Sequence, residues 1–384
     1  MPWMTDLYAN FLHNRTLHEI TLPGTHDAGC YVDHKSWNSS LSRTQVENIN
    51  QQLTGGIRYF DLRPYVDSSK NYWIYHGYYT GDQVNGGTGI LAQVNNFMDG
   101  LAATDRELVI LNISHFSKFN DPDHAPFVQL ITNTLGTHLL RHTQTDINLF
   151  DAPYARLLTD PNDNQLQSRV AILYDGALDT GSESYVAKTS LPAGFFKISP
   201  KYERFTSDVA IPANRKIFLF DQYSNRLHVT DGRFKDGIRN NQLDKLRNRN
   251  QYDYGGSLKM NGSTKWGANA NGGTASTMHL FSWTLTPQPS GYPVDVAQGE
   301  SNPQLLPLFA GNNWGGNARA YDPTQDEKIN IVYVDHYASA RTTQINAIAG
   351  NNMPQGTALP VAIAAKLNEY GGVGNVAFAW NGLQ

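Results

Sequence analysis

Two histidines, an arginine and several carboxylates follow short apolar runs in this sequence. In the stretch TLPGTHDAG (21–29), a short apolar segment runs up to Pro23-Gly24. His26 and Asp27 follow this pair after one intervening residue. We expect the Pro-Gly pair to end a strand, because these two residues mark turns. Polar residues occupy the same position after later apolar runs: Asp61 and Arg63, His76, Ser114-His115, Asp175, Asp221 and Tyr223, and Asp335.

Imidazoles, a guanidinium and carboxylates grouped at one site suit phosphoryl transfer. That reaction needs a base for the attacking hydroxyl, an acid for the leaving oxygen, and positive charge beside the phosphate oxygens. Imidazoles titrate near neutral pH and serve as base and acid. A guanidinium supplies fixed charge with forked hydrogen bonds. Neighbouring carboxylates hold each imidazole in the required tautomer and raise its pKa.

Strand-like and helix-like segments must position these residues. The apolar, β-branched runs cover 18–23, 57–63, 72–76, 107–113, 169–174, 216–221, 278–285 and 329–336. Several are apolar at consecutive positions, which is typical of parallel strands buried on both faces. Helices are predicted over 88–101, 124–140, 231–248 and around 360–369. This alternation predicts an α/β fold, a (β/α) barrel with its functional residues at the C-terminal ends of the strands.

The composition narrows the range of partners. The 384 residues carry a formal net charge of −4 without a standout cluster of lysine and arginine. This argues against nucleic acid as the main partner and against docking on an anionic membrane by charge alone. We expect no bilayer-spanning segment, since no run of about 18 apolar residues exists. The single cysteine, Cys30, is expected to pack as a small apolar residue.

Two Gly/Asn-rich segments, 255–273 and 311–320, are predicted to be long surface loops. Each carries one tryptophan, Trp266 and Trp314 respectively, with few apolar neighbours in sequence. We expect these two indoles to act as interfacial anchors, in the way that tryptophan sits at membrane boundaries. Residues 1–344 are interpreted as one catalytic barrel with loop insertions, and 345–384 as a C-terminal extension packed on it.

Three motifs resemble the X domain of bacterial phosphatidylinositol-specific phospholipase C. They are LPGTHDAG, GIRYFDLR and YHG, which occur in this order between residues 20 and 77. The resemblance extends more weakly through ELVILNIS and NIVYVDHY. It implies a distorted, incompletely closed (β/α)8 TIM-like barrel. It also implies a reaction in which the inositol 2-hydroxyl attacks phosphorus, expels diacylglycerol and leaves inositol 1,2-cyclic phosphate, which water then opens slowly.

The resemblance implies a role for each matching residue. The family's catalytic roles fall on the general base His26, the general acid His76, the phosphate-binding Arg63, and the carboxylates Asp27, Asp61 and Asp335. Asp335 is expected to orient His26, and this pairing is sensible because the last strand of a barrel neighbours the first. Asp27 is expected to work beside the acid, and Asp61 to position Arg63 and His76.

Substrate contacts are expected from Asp221 and Tyr223, which resemble an Asp-x-Tyr pair that holds inositol hydroxyls, and from His115. The bacterial family has basic residues at the ends of the strands that match 107–114 and 170–175. This chain has Ser114-His115 and Tyr174-Asp175 there. The inositol site is therefore expected to be less basic than in the family.

Metal dependence is expected to follow from the same motifs. Metal-using relatives carry a carboxylate where this chain has Arg63 and another where it has Ser114. The guanidinium takes the place of calcium, and the oxygen ligands that a hard cation needs are depleted. The resemblance therefore implies catalysis without a metal or another cofactor.

Two other functions stay open from the sequence. A metal-dependent phosphodiesterase on a similar barrel, such as a glycerophosphodiesterase or sphingomyelinase D, would use acidic ligands near the first histidine, and Arg63 argues against it. A non-catalytic barrel that binds polyols or lipid headgroups would not need an acid–base pair. We expect a monomeric enzyme that acts peripherally on phosphatidylinositol at a membrane surface. The family resemblance suggests secretion, and the N-terminus shows no signal-peptide pattern.

Overall fold

Eleven strands are found in the part of the chain that the structure describes. The computed structural model describes residues 2–32, 42–76, 79–174, 191–197, 218–221, 234–247, 277–285, 292–309, 321–322, 326, 328–340 and 357–369. The strands are β1 (Leu22–Thr25), β2 (Tyr59–Leu62), β3 (Pro64–Val66), β4 (Tyr72–His76), β5 (Tyr79–Gln83), β6 (Leu108–Ile113), β7 (Arg169–Tyr174), β8 (Phe195–Lys197), β9 (Phe218–Asp221), β10 (Thr277–Trp283) and β11 (Ile331–Val334).

Eight of these strands form one sheet in the order β8-β7-β6-β2-β1-β11-β10-β9. Each neighbouring pair is parallel. Strand β1 therefore lies between β2 and β11, which brings the first and last of the described strands together. Among the described residues no pairing joins β8 to β9. The predicted α/β barrel, incompletely closed, is confirmed.

The run 72–76 differs from the prediction because it is not a strand of the barrel. Strand β4 lies between β3 and β5 in a separate antiparallel sheet. A parallel neighbour of β2 would need a crossover of a dozen or more residues. Only nine residues separate the end of β2 at Leu62 from the start of β4 at Tyr72, so the chain turns back as a hairpin.

Strand β1 also differs from its predicted form. The first part of the run 18–23 is a 3₁₀ turn, Leu17–Glu19, and the strand continues through Pro23-Gly24 to Thr25. The expected break at Pro23-Gly24 is therefore wrong. The carbonyl of Pro23 still accepts a hydrogen bond from the backbone of Arg58 at 3.0 Å. A Cβ at Gly24 would lie 2.8 Å from Ile331, so glycine allows β11 to approach β1 closely.

Helices connect many of the strands. The described α-helices are α1 (Trp3–Leu7), α2 (Ile49–Gly55), α3 (Ile90–Asp99), α4 (Asp121–Leu135), α5 (Tyr154–Leu158), α6 (Phe234–Arg247), α7 (Pro293–Val296), α8 (Leu305–Phe309) and α9 (Leu359–Glu369). The helices predicted over 88–101, 231–248 and 360–369 are confirmed as α3, α6 and α9. None of the helices in the described ranges is long and apolar enough to cross a bilayer.

Helix α4 starts and ends earlier than the predicted 124–140. It begins at Asp121 because the side chain of Asp123 accepts a hydrogen bond from the backbone of Asn120 at 3.0 Å, which caps the first turn. It ends at Leu135 because Gly136 adopts φ 32°, outside the helical region. The start signal in the sequence, Asp121-Pro122, lies at this cap. The helical spacing of apolar residues continues past Leu135 to Leu139, so it did not mark the end of the helix.

Helix α9, from the predicted C-terminal extension, packs against β1. The Asn368 side chain forms two 2.7 Å hydrogen bonds with the backbone of Thr21, one to its N–H and one to its carbonyl. Lys328 donates to the carbonyl of Leu367 at 2.8 Å. The helix thus covers the start of the first strand. The division of the chain at residues 344 and 345 stays a prediction.

A buried ion pair supports the start of β6. Glu107 Oε2 lies 2.7 Å from Arg58 Nε, and both side chains are fully buried. The other oxygen, Oε1, accepts hydrogen bonds from the backbone and hydroxyl of Thr5 at 2.7 and 2.8 Å. The pair links α1, the entry to β2 and the entry to β6 at the end of the barrel opposite the predicted site.

We predict that Glu107→Gln destabilises the protein by about 3–5 kcal/mol, because it leaves the buried Arg58 guanidinium without its counter-charge. The matched change Asp99→Asn, at a carboxylate that is 60% exposed and pairs with His138, should cost less than about 1 kcal/mol. Urea denaturation of both variants measures the difference. Equal losses of unfolding free energy would contradict the prediction.

Candidate active site

His26 and Asp335 are brought together by the pairing of β1 with β11. Thr25 and Val334 are register partners at the ends of these parallel strands, so the residues that follow them are neighbours. His26 Nδ1 lies 2.8 Å from Asp335 Oδ1. Because a carboxylate only accepts, Nδ1 carries the proton, and Nε2 of the neutral ring is left with a lone pair. This is the arrangement that a general base requires.

Asp27 lies at the centre of the site and is fully buried. Its Oδ2 is 3.2 Å from His26 Nε2 and 3.4 Å from His76 Nε2, and its Oδ1 is 2.7 Å from Arg63 Nε. The backbone of Asp27 has φ 40°, in the left-handed region that costs non-glycine residues about 1–2 kcal/mol. Thr44 holds this conformation by donating its hydroxyl to the Asp27 carbonyl at 2.9 Å.

Arg63 joins two carboxylates. Its Nη2 and Nε lie 3.0 and 3.2 Å from Asp61 Oδ2, in addition to the contact with Asp27. Asp61 is a residue of β2 that also accepts a 3.3 Å hydrogen bond from the backbone of Asp27. The guanidinium is mostly buried, with 12% of its side chain exposed. Its contacts with the two carboxylates therefore fix its orientation.

His76 approaches the site from β4 and is more exposed than His26. Its side chain is 29% exposed, against 12% for His26. Its Nδ1 donates to the carbonyl of Ser42 at 3.1 Å, which directs Nε2 toward Asp27. The two imidazole rings lie 5.8 Å apart with an interplanar angle of 75°. Asp27 Oδ2 lies within 3.4 Å of both Nε2 atoms.

The buried charges change the pKa values of two groups. Burial lowers the pKa of His26, but the carboxylates of Asp27 and Asp335 outweigh burial and raise it to about 9. Burial raises the pKa of Asp61, but the Arg63 guanidinium holds it well below its usual range. Asp61 is thus ionised at all physiological pH values. In the protein without substrate, His26 favours the protonated ring at neutral pH.

Three of these residues also offer ligand atoms to a cation. Atoms of His26, Asp27 and Asp61 lie within 4.8 Å of one another. However, the Arg63 guanidinium contacts both carboxylates, at 2.7 Å and 3.0 Å. A divalent ion there would have to displace this guanidinium or tolerate its charge. A hard cation such as calcium takes six or more oxygen ligands. The donor set therefore fits an arginine better than such a cation.

Sequence reasoning missed Tyr333. Its hydroxyl lies 2.5 Å from Asp61 Oδ2, and its ring packs against that of His26 with centroids 5.4 Å apart. Tyr333 lies two residues before Asp335 on β11, and residues two apart share one face of a strand. This spacing could have identified it. Thr44 has no comparable signal, because it follows none of the apolar runs in the sequence.

The structure places the remaining predicted residues as follows. His115 lies after β6 with φ 55°, and its carbonyl accepts from the Tyr75 hydroxyl at 2.8 Å. Its charge contributes to the low pKa of Asp61.

Asp221 ends β9 at the same edge of the sheet as the other strand ends. Tyr223, Asp175, Trp266 and Trp314 lie outside the described residues. Cys30 is 4% exposed, which confirms its predicted burial.

The curated relatives of this chain carry X domains. No family model matches. A PI-PLC X-box domain-containing protein of Dictyostelium discoideum is 30% identical over 149 residues, which cover 35% of this chain and 19% of that protein. PI-PLC X domain-containing protein 2 of Mus musculus is 30% identical over 162 residues, covering 36% of this chain and 45% of that protein. The matches thus span less than half of these two relatives.

Solved structures extend the likeness to nearly the whole chain at the level of fold. One structure of the phosphatidylinositol-specific phospholipase C from Staphylococcus aureus has a TM-score of 0.51 and 13% identity, covering 94% of this chain and 96% of that one. A structure that addresses membrane binding of the S. aureus enzyme has a TM-score of 0.52 and 15% identity, covering 95% and 97%. The resemblance to the X-domain family of phosphatidylinositol-specific phospholipases C is thereby supported, by sequence over about a third of the chain and by the barrel fold over most of it.

Proposed function

We propose that this chain is a phospholipase C that cleaves phosphatidylinositol to diacylglycerol and inositol 1,2-cyclic phosphate without a metal. One observation carries the proposal, namely that the buried Asp27 contacts both histidines and the arginine within 3.4 Å. A base, an acid and a fixed positive charge thus surround one space, as phosphoryl transfer requires. The X-domain relatives support the choice of phosphatidylinositol as the lipid.

In the first step neutral His26 acts as the base. Its Nε2 takes the proton of the inositol 2-hydroxyl, whose oxygen forms a bond to phosphorus. The bond from phosphorus to the diacylglycerol oxygen breaks, and protonated His76 gives that oxygen its proton. Asp335 stabilises the imidazolium that forms on His26, through the 2.8 Å hydrogen bond to Nδ1.

Arg63 stabilises the charge on the phosphate oxygens. Its two carboxylate partners fix the guanidinium before substrate binds, so little reorganisation is needed during the reaction. Asp27 Oδ2 also lies 3.4 Å from His76 Nε2. In the second step the roles reverse. His76 takes a proton from water as the water oxygen forms a bond to phosphorus; the bond from phosphorus to the 2-oxygen breaks, and His26 returns its proton to that oxygen.

A metal-dependent phosphodiesterase is the second candidate. It is favoured by the closeness of ligand atoms on His26, Asp27 and Asp61, which lie within 4.8 Å of one another. Such an enzyme would lose its activity in EDTA and regain it with a divalent cation. The metal-free enzyme proposed above would keep its activity in EDTA.

We predict that His26→Ala and His76→Ala each lower turnover of phosphatidylinositol by about 10²–10⁴-fold, because each removes one proton transfer. Arg63 still compensates the buried Asp27 carboxylate in both variants, so they should fold. Release of diacylglycerol from vesicles measures the loss, and His13→Ala, at an exposed histidine, is the control. Near-normal turnover by either variant would remove that residue from the mechanism.

We predict that the His26 ring titrates with a midpoint of about 9 in the free protein, since Asp27 and Asp335 favour its charged form. The folded-state pKa is raised, so kcat/KM should increase with pH as His26 loses its proton. Asp335→Asn removes one of the two carboxylates and should move both the ring titration, followed by NMR, and this limb of the profile to lower pH. Asp99→Asn should move neither. A midpoint that Asp335→Asn leaves unchanged would contradict the assignment.

A further inference from the structure

The position of His76 depends on contacts between two sheets. His76 lies on β4 of the small antiparallel sheet, whereas His26, Asp27 and Arg63 follow strands of the barrel. Its Nε2 nevertheless lies 3.4 Å from Asp27 Oδ2. Contacts across the boundary must hold the small sheet in place, because a shift of about 1 Å at a reacting group can cost 10²-fold in rate.

A cluster of three side chains spans this boundary. Tyr31 lies four residues after Asp27, Asp82 lies on β5 beside β4, and Gln93 lies on α3. The Tyr31 hydroxyl donates to Asp82 Oδ2. Gln93 Nε2 donates to the Tyr31 hydroxyl at 3.0 Å and to Asp82 Oδ2 at 3.1 Å. The three residues thus close a small network between the loop after β1, the small sheet and a helix.

The backbones beneath this network are in direct contact. The Asp82 N–H donates to the carbonyl of Gly29 at 2.9 Å. A Cβ at Gly81 would lie 2.6 Å from the Gly29 oxygen, and a Cβ at Gly29 would lie 2.6 Å from Ile74 on β4. Both glycines therefore allow β4 and β5 to pack against the loop that carries Asp27. Ile74 lies two residues before His76 on the same strand.

The Tyr31 hydroxyl is a permanent donor in this arrangement. Burial and the Asp82 carboxylate raise the pKa of Tyr31 well above its usual range, so the phenol keeps its proton. Asp82 Oδ2 accepts hydrogen bonds from both the Tyr31 hydroxyl and Gln93 Nε2. Tyr31 therefore remains a donor to Asp82 near neutral pH.

We propose that Tyr31, Asp82 and Gln93 are positioning residues that hold the general acid His76 in register with Asp27. This inference rests on the proposed function. It predicts a selective defect, because a general acid matters most when the leaving group is a strongly basic alkoxide. Loss of the network should slow release of diacylglycerol and spare substrates whose leaving group needs no proton.

Tyr31→Phe tests the proposal with two substrates, phosphatidylinositol in vesicles and an inositol phosphate ester of 4-nitrophenol. We expect kcat on phosphatidylinositol to fall by about 10- to 100-fold, with little change in KM and little loss on the aryl ester. Asp82→Asn keeps an acceptor for the tyrosine and should retain most activity, whereas Asp82→Ala should resemble Tyr31→Phe. Trp73→Phe is the control, because it removes a 3.1 Å hydrogen bond to the Asp67 carboxylate in the same sheet.

Equal losses on both substrates, or a defect in Trp73→Phe as large as that in Tyr31→Phe, would overturn the positioning role while leaving the proposed function intact. Thermal melting of each variant shows that the comparison concerns folded protein. Wild-type protein that cleaves neither substrate would overturn the proposed function and this inference together.

Discussion

The site depends on one buried carboxylate, that of Asp27. It is fully buried and contacts His26, His76 and Arg63 at 3.2, 3.4 and 2.7 Å. Burial of a charge is costly unless opposite charges compensate it, so these three side chains must stay close to Asp27 in the folded protein. The same contacts favour the protonated form of His26 and fix the guanidinium. The contacts that compensate the buried carboxylate therefore also hold the two imidazoles and the guanidinium around it.

The sheet order explains how distant residues reach Asp27. The parallel pairing of β1 with β2 and β11 puts the residues after all three strands at one edge of the sheet. Asp335 arrives beside His26 although 309 positions separate them, and Arg63 follows β2 on the other side. His76 is the exception, because it comes from the small antiparallel sheet. Its place depends on packing between sheets, and this makes it sensitive to residues outside the barrel.

The sequence predicted the barrel and grouped the catalytic candidates because strand ends with polar residues leave a clear local signal. It could not place β4, since an apolar run has the same appearance in either sheet. It mistook Pro23-Gly24 for a break, because only the neighbouring β11 shows why a glycine is needed there. Tyr333 and Thr44 escaped notice, since their roles arise from contacts with Asp61 and Asp27 across the fold. The proposed roles of Trp266, Trp314 and Tyr223 stay predictions.

The proposed function requires Arg63 and the two histidines, held by Asp27 and Asp335, to cleave the lipid without a metal. Phosphorus NMR of phosphatidylinositol vesicles with the protein in excess EDTA tests it most directly, because one spectrum reports the product and the need for a metal. We expect loss of the lipid phosphodiester signal and growth of the signal of the cyclic inositol phosphate. An unchanged lipid signal in EDTA that disappears only after a divalent cation is added would contradict it.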